Sequence, residues 1–254
     1  MAVTGIGRCP RPHGPQPDLR GGAGGCSGAP ALNGELLVVD DVPAEFSERV
    51  IEAFHSRPDE AFCFAVSGGD TARRCYERLA ADGADQIDWW QVDVYWGDER
   101  CVPPEDPDSN ERLVREALLQ RVGAANAVYP MRCDEGPDPY QQRVAEVRQF
   151  DVIHLGLGPC GHTASLFPKS AALDADPGRL VVMNTDPSGR NKHERMTFTL
   201  SAIARGRLVI VTVEGEEKRE ALDRVRAGDL EMPASRVTGE HVLWLVDPAA
   251  AGQG

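Results

Sequence analysis

A chain of 254 residues with 41% apolar side chains can bury a proper core, as one large domain or two small ones. Its net charge of −13 speaks against a nucleic-acid partner, whose phosphates demand a basic surface, but leaves room for a local cation cluster around a small anion. Its apolar runs fall far short of the roughly 20 residues of a membrane span, so no membrane partner is expected, and the first residues lack the basic start and apolar block of a secretory signal.

Residues 1 to 33 are rich in Gly and Pro and lack apolar periodicity, so they read as a disordered tail, with His13 and Cys26 lacking any visible partner. Residues 34 to 254 read as one domain. Leu36 to Val39 predicts a short strand, and Asp41 and Pro43 open a helix whose Phe46, Val50, Ile51 and Phe54 recur at helical spacing. Phe62 to Val66 is the next strand. It runs into Ser67-Gly68-Gly69-Asp70-Thr71 and then a helix with Ala72, Cys75, Tyr76, Leu79 and Ala80 on one face. Strand, Gly-Gly, hydroxyl and helix is the arrangement that cradles a phosphate, because glycines free the backbone N–H groups and the helix start adds positive potential. An ordinary tight turn capped by Asp70 or Thr71 is the plainer reading, and Asp70 must in any case point away from a phosphate.

Val92 to Trp96 predicts a third strand, ending in Gly97-Asp98-Glu99-Arg100. Three charges at the end of a buried strand need partners. They either serve a ligand or form an internal salt bridge between Arg100 and Asp98 or Glu99. A long loop closes at Ser109-Asn110, a good helix cap, before Leu113, Val114, Ala117 and Leu118. Ala127 to Tyr129 is a short strand, and Asp138-Pro139 opens a helix carrying Tyr140, Val144 and Val147 on one face.

The stretch Phe150 to Pro168 organises the rest. It begins as a buried strand and breaks into Gly156, Gly158 and Gly161, where backbone can approach a ligand closely. His162 follows, with a side chain whose unperturbed pKa of about 6.5 suits proton transfer near neutrality. Filling a turn is its plainer role. The glycines also match G-x-G-x-x-G, but Pro168 stops any helix within two turns, so no nucleotide cofactor is expected.

Leu180 to Met183 predicts a strand, and the polar, basic Pro187 to His193 a mobile loop. Arg195 precedes an alternating strand, Met196 to Leu200. Leu208 to Val213 is a β-branched strand ending at Glu214-Gly215. Lys218 lies in the first turn of the helix burying Ala221, Leu222 and Val225, where it opposes the dipole unless an anion is held there. Val242 to Val246 is the last strand. The alternation predicts an α/β fold: a doubly wound, mostly parallel sheet with helices on both faces, in a single domain. All strand-end loops of such a sheet gather on one edge, where ligands bind. The seven cysteines, Cys9, Cys26, Cys63, Cys75, Cys101, Cys133 and Cys160, are odd in number and contain no Cys-x-x-Cys pair. They predict reduced thiols in a cytosol, with neither a zinc site nor a disulfide framework.

Five segments in register, SGGDT at Ser67, WGDERCVPPEDPDSN ending at Asn110, GLGPCGHTASLFP ending at Pro168, ERMTFTL ending at Leu200 and EGEEKREAL ending at Leu222, resemble the 6-phosphogluconolactonase family, within the wider group that includes glucosamine-6-phosphate isomerase. The resemblance covers nearly everything after residue 34. It implies a cytoplasmic hydrolase of the oxidative pentose phosphate pathway that opens 6-phospho-D-glucono-1,5-lactone to 6-phosphogluconate with no metal and no cofactor. By position, His162 would act as general base on water and Asp98 would help fix Arg100 or a substrate hydroxyl. Ser67, Gly68, Gly69, Thr71 and Lys218 would hold the phosphate, and Arg100 and Arg195 the phosphate or sugar oxygens. The family usually has Asp before Gly-His, where this chain has Cys160. If that acid orients or charges the histidine, this protein should be slower. A nucleophilic Cys160 would need a depressed pKa, of which the sequence gives no sign. Two other functions compete. One is a sugar-phosphate isomerase or deaminase of the same group, which usually has Asp-Glu-Tyr where this chain has Asp98-Glu99-Arg100. The other is a sugar-phosphate binding protein with catalysis weakened through Cys160.

Overall fold

The computed structural model describes residues 32–253, so the tail expected over residues 1 to 33 lies outside the described residues except for its last two. Asn33 is fastened: its amide donates to the Val237 carbonyl (2.9 Å) and the Trp244 indole donates to its carbonyl (3.0 Å).

In chain order the elements are β1 (Glu35–Val38), α1 (Val42–Ser56), β2 (Phe62–Val66), α2 (Asp70–Asp82), β3 (Val92–Trp96), β4 (Asp98–Arg100), α3 (Asn110–Val114), β5 (Ala127–Tyr129), α4 (Pro137–Glu146), β6 (Phe150–Gly156), β7 (Val181–Asn184), β8 (Arg195–Phe198), α5 (Leu200–Ile203), β9 (Gly206–Val213), α6 (Arg219–Arg226) and β10 (His241–Val246). Local chemistry explains several of their ends. Asp41 accepts from the Ala44 N–H at 3.0 Å and caps α1, and Ser109 accepts from the Arg112 N–H at 3.1 Å and caps α3. The alternation expected to run to Leu200 stops at Phe198, because the Thr199 hydroxyl accepts from the Ala202 N–H (3.3 Å) and starts α5 instead.

Seven strands form a parallel sheet in the order β1-β10-β9-β6-β2-β3-β5. β6 is central and buried along all but its last residue. Right-handed crossovers fix which face each helix covers. Chain moving from β1 to β2 and on to β3 and β5 carries α1, α2 and α3 on one face. Chain returning through β6, β9 and β10 carries α4 and α6 on the other. The Phe46 ring of α1 accordingly packs on His154 of β6 at 4.3 Å, and the Phe64 ring of β2 meets Tyr76 of α2 edge-on. The winding reverses between β2 and β6, and a crevice opens there at the carboxyl ends of the strands.

Two expectations need correction. Asp98–Arg100, read as a loop, is a short strand in a second, antiparallel sheet ordered β4-β8-β7. Its partner β8 lies almost a hundred residues away in sequence, and three charged residues carry no local strand signal. Cys101 and Cys133, expected to be reduced, form a disulfide with a Cα–Cα distance of 5.4 Å. β5 pairs in parallel with β3, so the chain leaving β4 just beyond β3 meets the turn that follows β5. Cys63, Cys75 and Cys160 have no disulfide partner among the described residues. Among the described residues, no helix is long and apolar enough to cross a membrane.

Candidate active site

The crevice between β2 and β6 holds a cavity of about 270 Å³, near the lower end of the range for small-ligand sites. Ser67, Gly68, Gly69, Thr71, Asp98, Arg100, His162, Arg195 and Lys218 all line it.

Its first wall is the loop between β2 and α2. Gly69, with φ at +101°, is the residue before α2, and no side chain caps that helix. Neither Asp70 nor Thr71 therefore fills the capping role expected of them; Asp70 is the exposed first residue of the helix. A Cβ on Gly68 would lie 1.8 Å from the Asn110 side-chain oxygen, so only glycine fits. The N–H groups of Gly68 and Gly69 have no hydrogen-bond partner among the described residues. They stand at the start of a 13-residue helix, where an anion is favoured.

The second wall is the loop after β6. The Gly158 N–H donates to the His162 carbonyl (2.8 Å), and the Gly161 N–H donates to the Gly158 carbonyl (2.9 Å). The His162 ring lies so close to Gly158 that a Cβ there would be 1.9 Å from Cε1. Its other side faces Phe167, with ring centroids 5.1 Å apart. Its Nδ1 is 3.0 Å from the Cys160 Sγ, which reaches it from a neighbouring groove and does not line the cavity. Burial pushes the His162 pKa down to about 4; Lys218 and Arg195 add to this and Asp98 opposes it. The ring is therefore neutral at pH 7. Ala164 in the same loop has φ at +46°, a left-handed conformation uncommon for a residue with a Cβ.

The third wall comes from the small sheet. Asp98 is buried; its carboxylate accepts from the Ser165 hydroxyl (2.6 Å) and the Asn110 amide (3.2 Å). Arg100 and Arg195 stand directly opposite each other across β4 and β8. Neither forms a salt bridge among the described residues, and the Nε of each is buried without a partner. Among the described residues the Arg100 guanidinium donates only to the Asp108 carbonyl (2.6 Å), and the salt bridge expected between Arg100 and Asp98 or Glu99 does not form. Glu99 instead accepts from the N–H groups of Arg100, Asn110 and Glu111 at 2.6, 2.8 and 2.6 Å and anchors the start of α3. Burial raises its pKa, against the pull of those donors. Like charges opposed across a ladder are destabilising, so two unpaired guanidinium groups beside a cavity mark a place for an anion. Lys218 completes that field. It ends the short turn before α6 rather than lying inside the helix, and its nearest carboxylate is Glu217 at 3.8 Å.

The loop of Pro187 to His193, expected to be mobile, carries hydrogen bonds to its own base. The Asp186 carboxylate accepts from the Ser188 N–H and hydroxyl and from the Asn191 N–H and amide at 2.8, 2.7, 3.1 and 2.8 Å. His193 and Lys192 both approach Asp108, at 2.9 and 3.7 Å. Asn191 thereby joins the cavity lining, as do Asn110, Ser165 and Thr212; of these the sequence singled out Asn110 alone, and only as part of a helix cap. Asn110 and Ser165 lie inside the quoted segments, so their motifs held the signal; Thr212 looks like any β-branched strand residue. No group of three or more His, Cys, Asp or Glu among the described residues is placed to hold a metal ion.

A family model described as glucosamine-6-phosphate isomerases/6-phosphogluconolactonase matches residues 37–244. The 6-phosphogluconolactonase of Nostoc sp. is 37% identical over 210 residues, covering 76% of this chain and 84% of the relative. That of Mycobacterium tuberculosis is 36% identical over 208 residues, covering 74% and 83%. The crystal structure of 6-phosphogluconolactonase from Thermotoga maritima superposes with a TM-score of 0.74 at 28% identity, covering 84% of this chain and 98% of the other.

Proposed function

The chain belongs to the glucosamine-6-phosphate isomerase/6-phosphogluconolactonase family, and on that premise we propose that it hydrolyses 6-phospho-D-glucono-1,5-lactone to 6-phosphogluconate, a step of the pentose phosphate pathway. One observation carries the reading: a neutral imidazole and two unpaired guanidinium groups face the same small cavity. The guanidinium pair and Lys218 suit a phosphate and polarised oxygens; the imidazole suits proton transfer.

In this reading the phosphate rests on the free N–H groups of Gly68 and Gly69, with Lys218 beside it and Ser67 and Thr71 as flanking hydroxyls. Arg100 and Arg195 bind oxygens nearer the lactone. Asp98, held by Ser165 and Asn110, keeps the arginine side of the cavity balanced and accepts from a substrate hydroxyl. His162 takes a proton from water as the oxygen attacks the lactone carbonyl carbon. The tetrahedral intermediate then expels the ring oxygen, and the imidazolium returns its proton to it. Such transfer contributes about 10²- to 10⁴-fold, enough for an ester already strained into a ring. A phosphate ester does not cross a bilayer unaided, so the proposal places the protein with its substrate in the cytoplasm.

The test is lactone hydrolysis by the purified protein, compared with His162→Ala. The variant is expected to lose at least about 100-fold in kcat while binding 6-phosphogluconate as before. An unchanged rate would remove His162 from the mechanism. Product binding without any turnover by the native chain would leave a binding protein.

A further inference from the structure

The central strand carries a second histidine that the proposed reaction does not use. His154 is fully buried under Phe46, where an aliphatic residue would pack at less cost in desolvation. Both of its ring nitrogens are engaged. Nδ1 is 2.8 Å from the Tyr76 hydroxyl, and Nε2 is 3.0 Å from the Thr212 hydroxyl. The Tyr76 oxygen also accepts from the Ser67 N–H at 2.7 Å. A buried chain thus runs from the phosphate loop through α2 and β6 to β9, and its last member, Thr212, lines the cavity.

The direction of that chain follows from its distances. The Tyr76 hydroxyl has two possible acceptors, His154 Nδ1 at 2.8 Å and the Ser67 carbonyl at 3.2 Å. Assigning the hydroxyl proton to the shorter contact makes Nδ1 the acceptor. His154 is neutral, with burial pushing its pKa down to about 3, so an accepting Nδ1 leaves the ring's one proton on Nε2. Nε2–H then donates to Thr212. A hydroxyl oxygen that accepts from the imidazole keeps its own proton for another partner, and nothing recorded among the described residues takes it.

We propose that Thr212 donates a hydrogen bond to the substrate at the Ser67–Lys218 end of the cavity, and that Tyr76 and His154 are positioning residues which aim that donor and hold the Ser67 backbone. This rests on the proposed sugar-phosphate site and adds a contact to it. An apolar residue at position 154 would leave the Thr212 hydroxyl free to turn and would cut the link from Tyr76 to the central strand, leaving Tyr76 bonded to Ser67 alone.

Two measurements test it. The first needs no activity: nitrogen-15 NMR of the native protein should show His154 as the Nε2–H tautomer. An Nδ1–H tautomer would make Thr212 the donor to the ring and overturn the proposal. The second is calorimetric binding of 6-phosphogluconate to Thr212→Val and Thr212→Ser. Valine keeps the shape and is expected to weaken binding about tenfold, the usual cost of losing one hydrogen bond to a charged group; serine should restore most of it. Equal affinity in native and valine proteins would overturn the assignment. Should the valine protein fail to fold, the tautomer measurement still decides. Absence of lactone turnover in the native protein would sink the proposed reaction without touching the tautomer result, so the two failures are distinguishable.

Discussion

At the scale of single residues, the environment of His162 sets the pH behaviour. As the proposed general base, a ring held neutral down to about pH 4 by burial, Lys218 and Arg195 would lose that function only below that point in the free protein. The acid limb of kcat/KM is therefore expected well below the 6.5 of an ordinary histidine. A bound phosphate offsets the two cations, so the acid limb of kcat should lie at higher pH than that of kcat/KM. Identical limbs at pH 6.5 would contradict this. Cys160→Asp would put a carboxylate where the thiol now meets Nδ1, raising the basicity of the ring, and is expected to increase kcat about tenfold at pH 7. From the residues alone, turn-filling was the plainer role for His162 and an internal salt bridge competed for Arg100; it was the resemblance that grouped His162, Arg100 and Arg195, and all three line one cavity. Thr212, His154 and Tyr76 were not legible, since each satisfies an ordinary strand or helix pattern and acquires its role only through partners 9 to 78 positions away.

At the scale of elements, the parallel strands could be read from their apolar runs, and β2 and β3 fall where the pattern put them. The small antiparallel sheet was hidden, because its central pairing joins Asp98–Arg100 to Arg195–Thr197 and neither segment signals the other locally. That sheet presents both arginines to the cavity, and Glu99 fastens it to α3. Glu99→Gln exchanges one accepting oxygen for a donor among three backbone N–H groups. The expected cost is about 2 kcal/mol of stability, read as a lower urea midpoint, together with a raised KM from a displaced Arg100. A loss of stability with KM unchanged would show that the anchor of α3 does not govern the arginine pair.

At the scale of the whole molecule, the buried His154 makes the fold sensitive to acid. Its pKa is about 3 when folded and near 6.5 when unfolded. The unfolded chain therefore binds a proton between those values and the folded chain does not. Stability is complete above pH 6.5 and falls as pH drops toward 3, by an amount on the order of 4 kcal/mol. Urea midpoints at successive pH values should show that slope in the native protein and a shallower one in His154→Leu; parallel slopes would assign the acid sensitivity to other groups. The Cys101–Cys133 link has a different reach. Both cysteines are half-buried residues that line a groove shared with Arg100, and the link closes a span of 32 residues. Oxidised and reduced chains are two covalent species, so a rate measured on protein handled in air and one measured in dithiothreitol are to be compared as such.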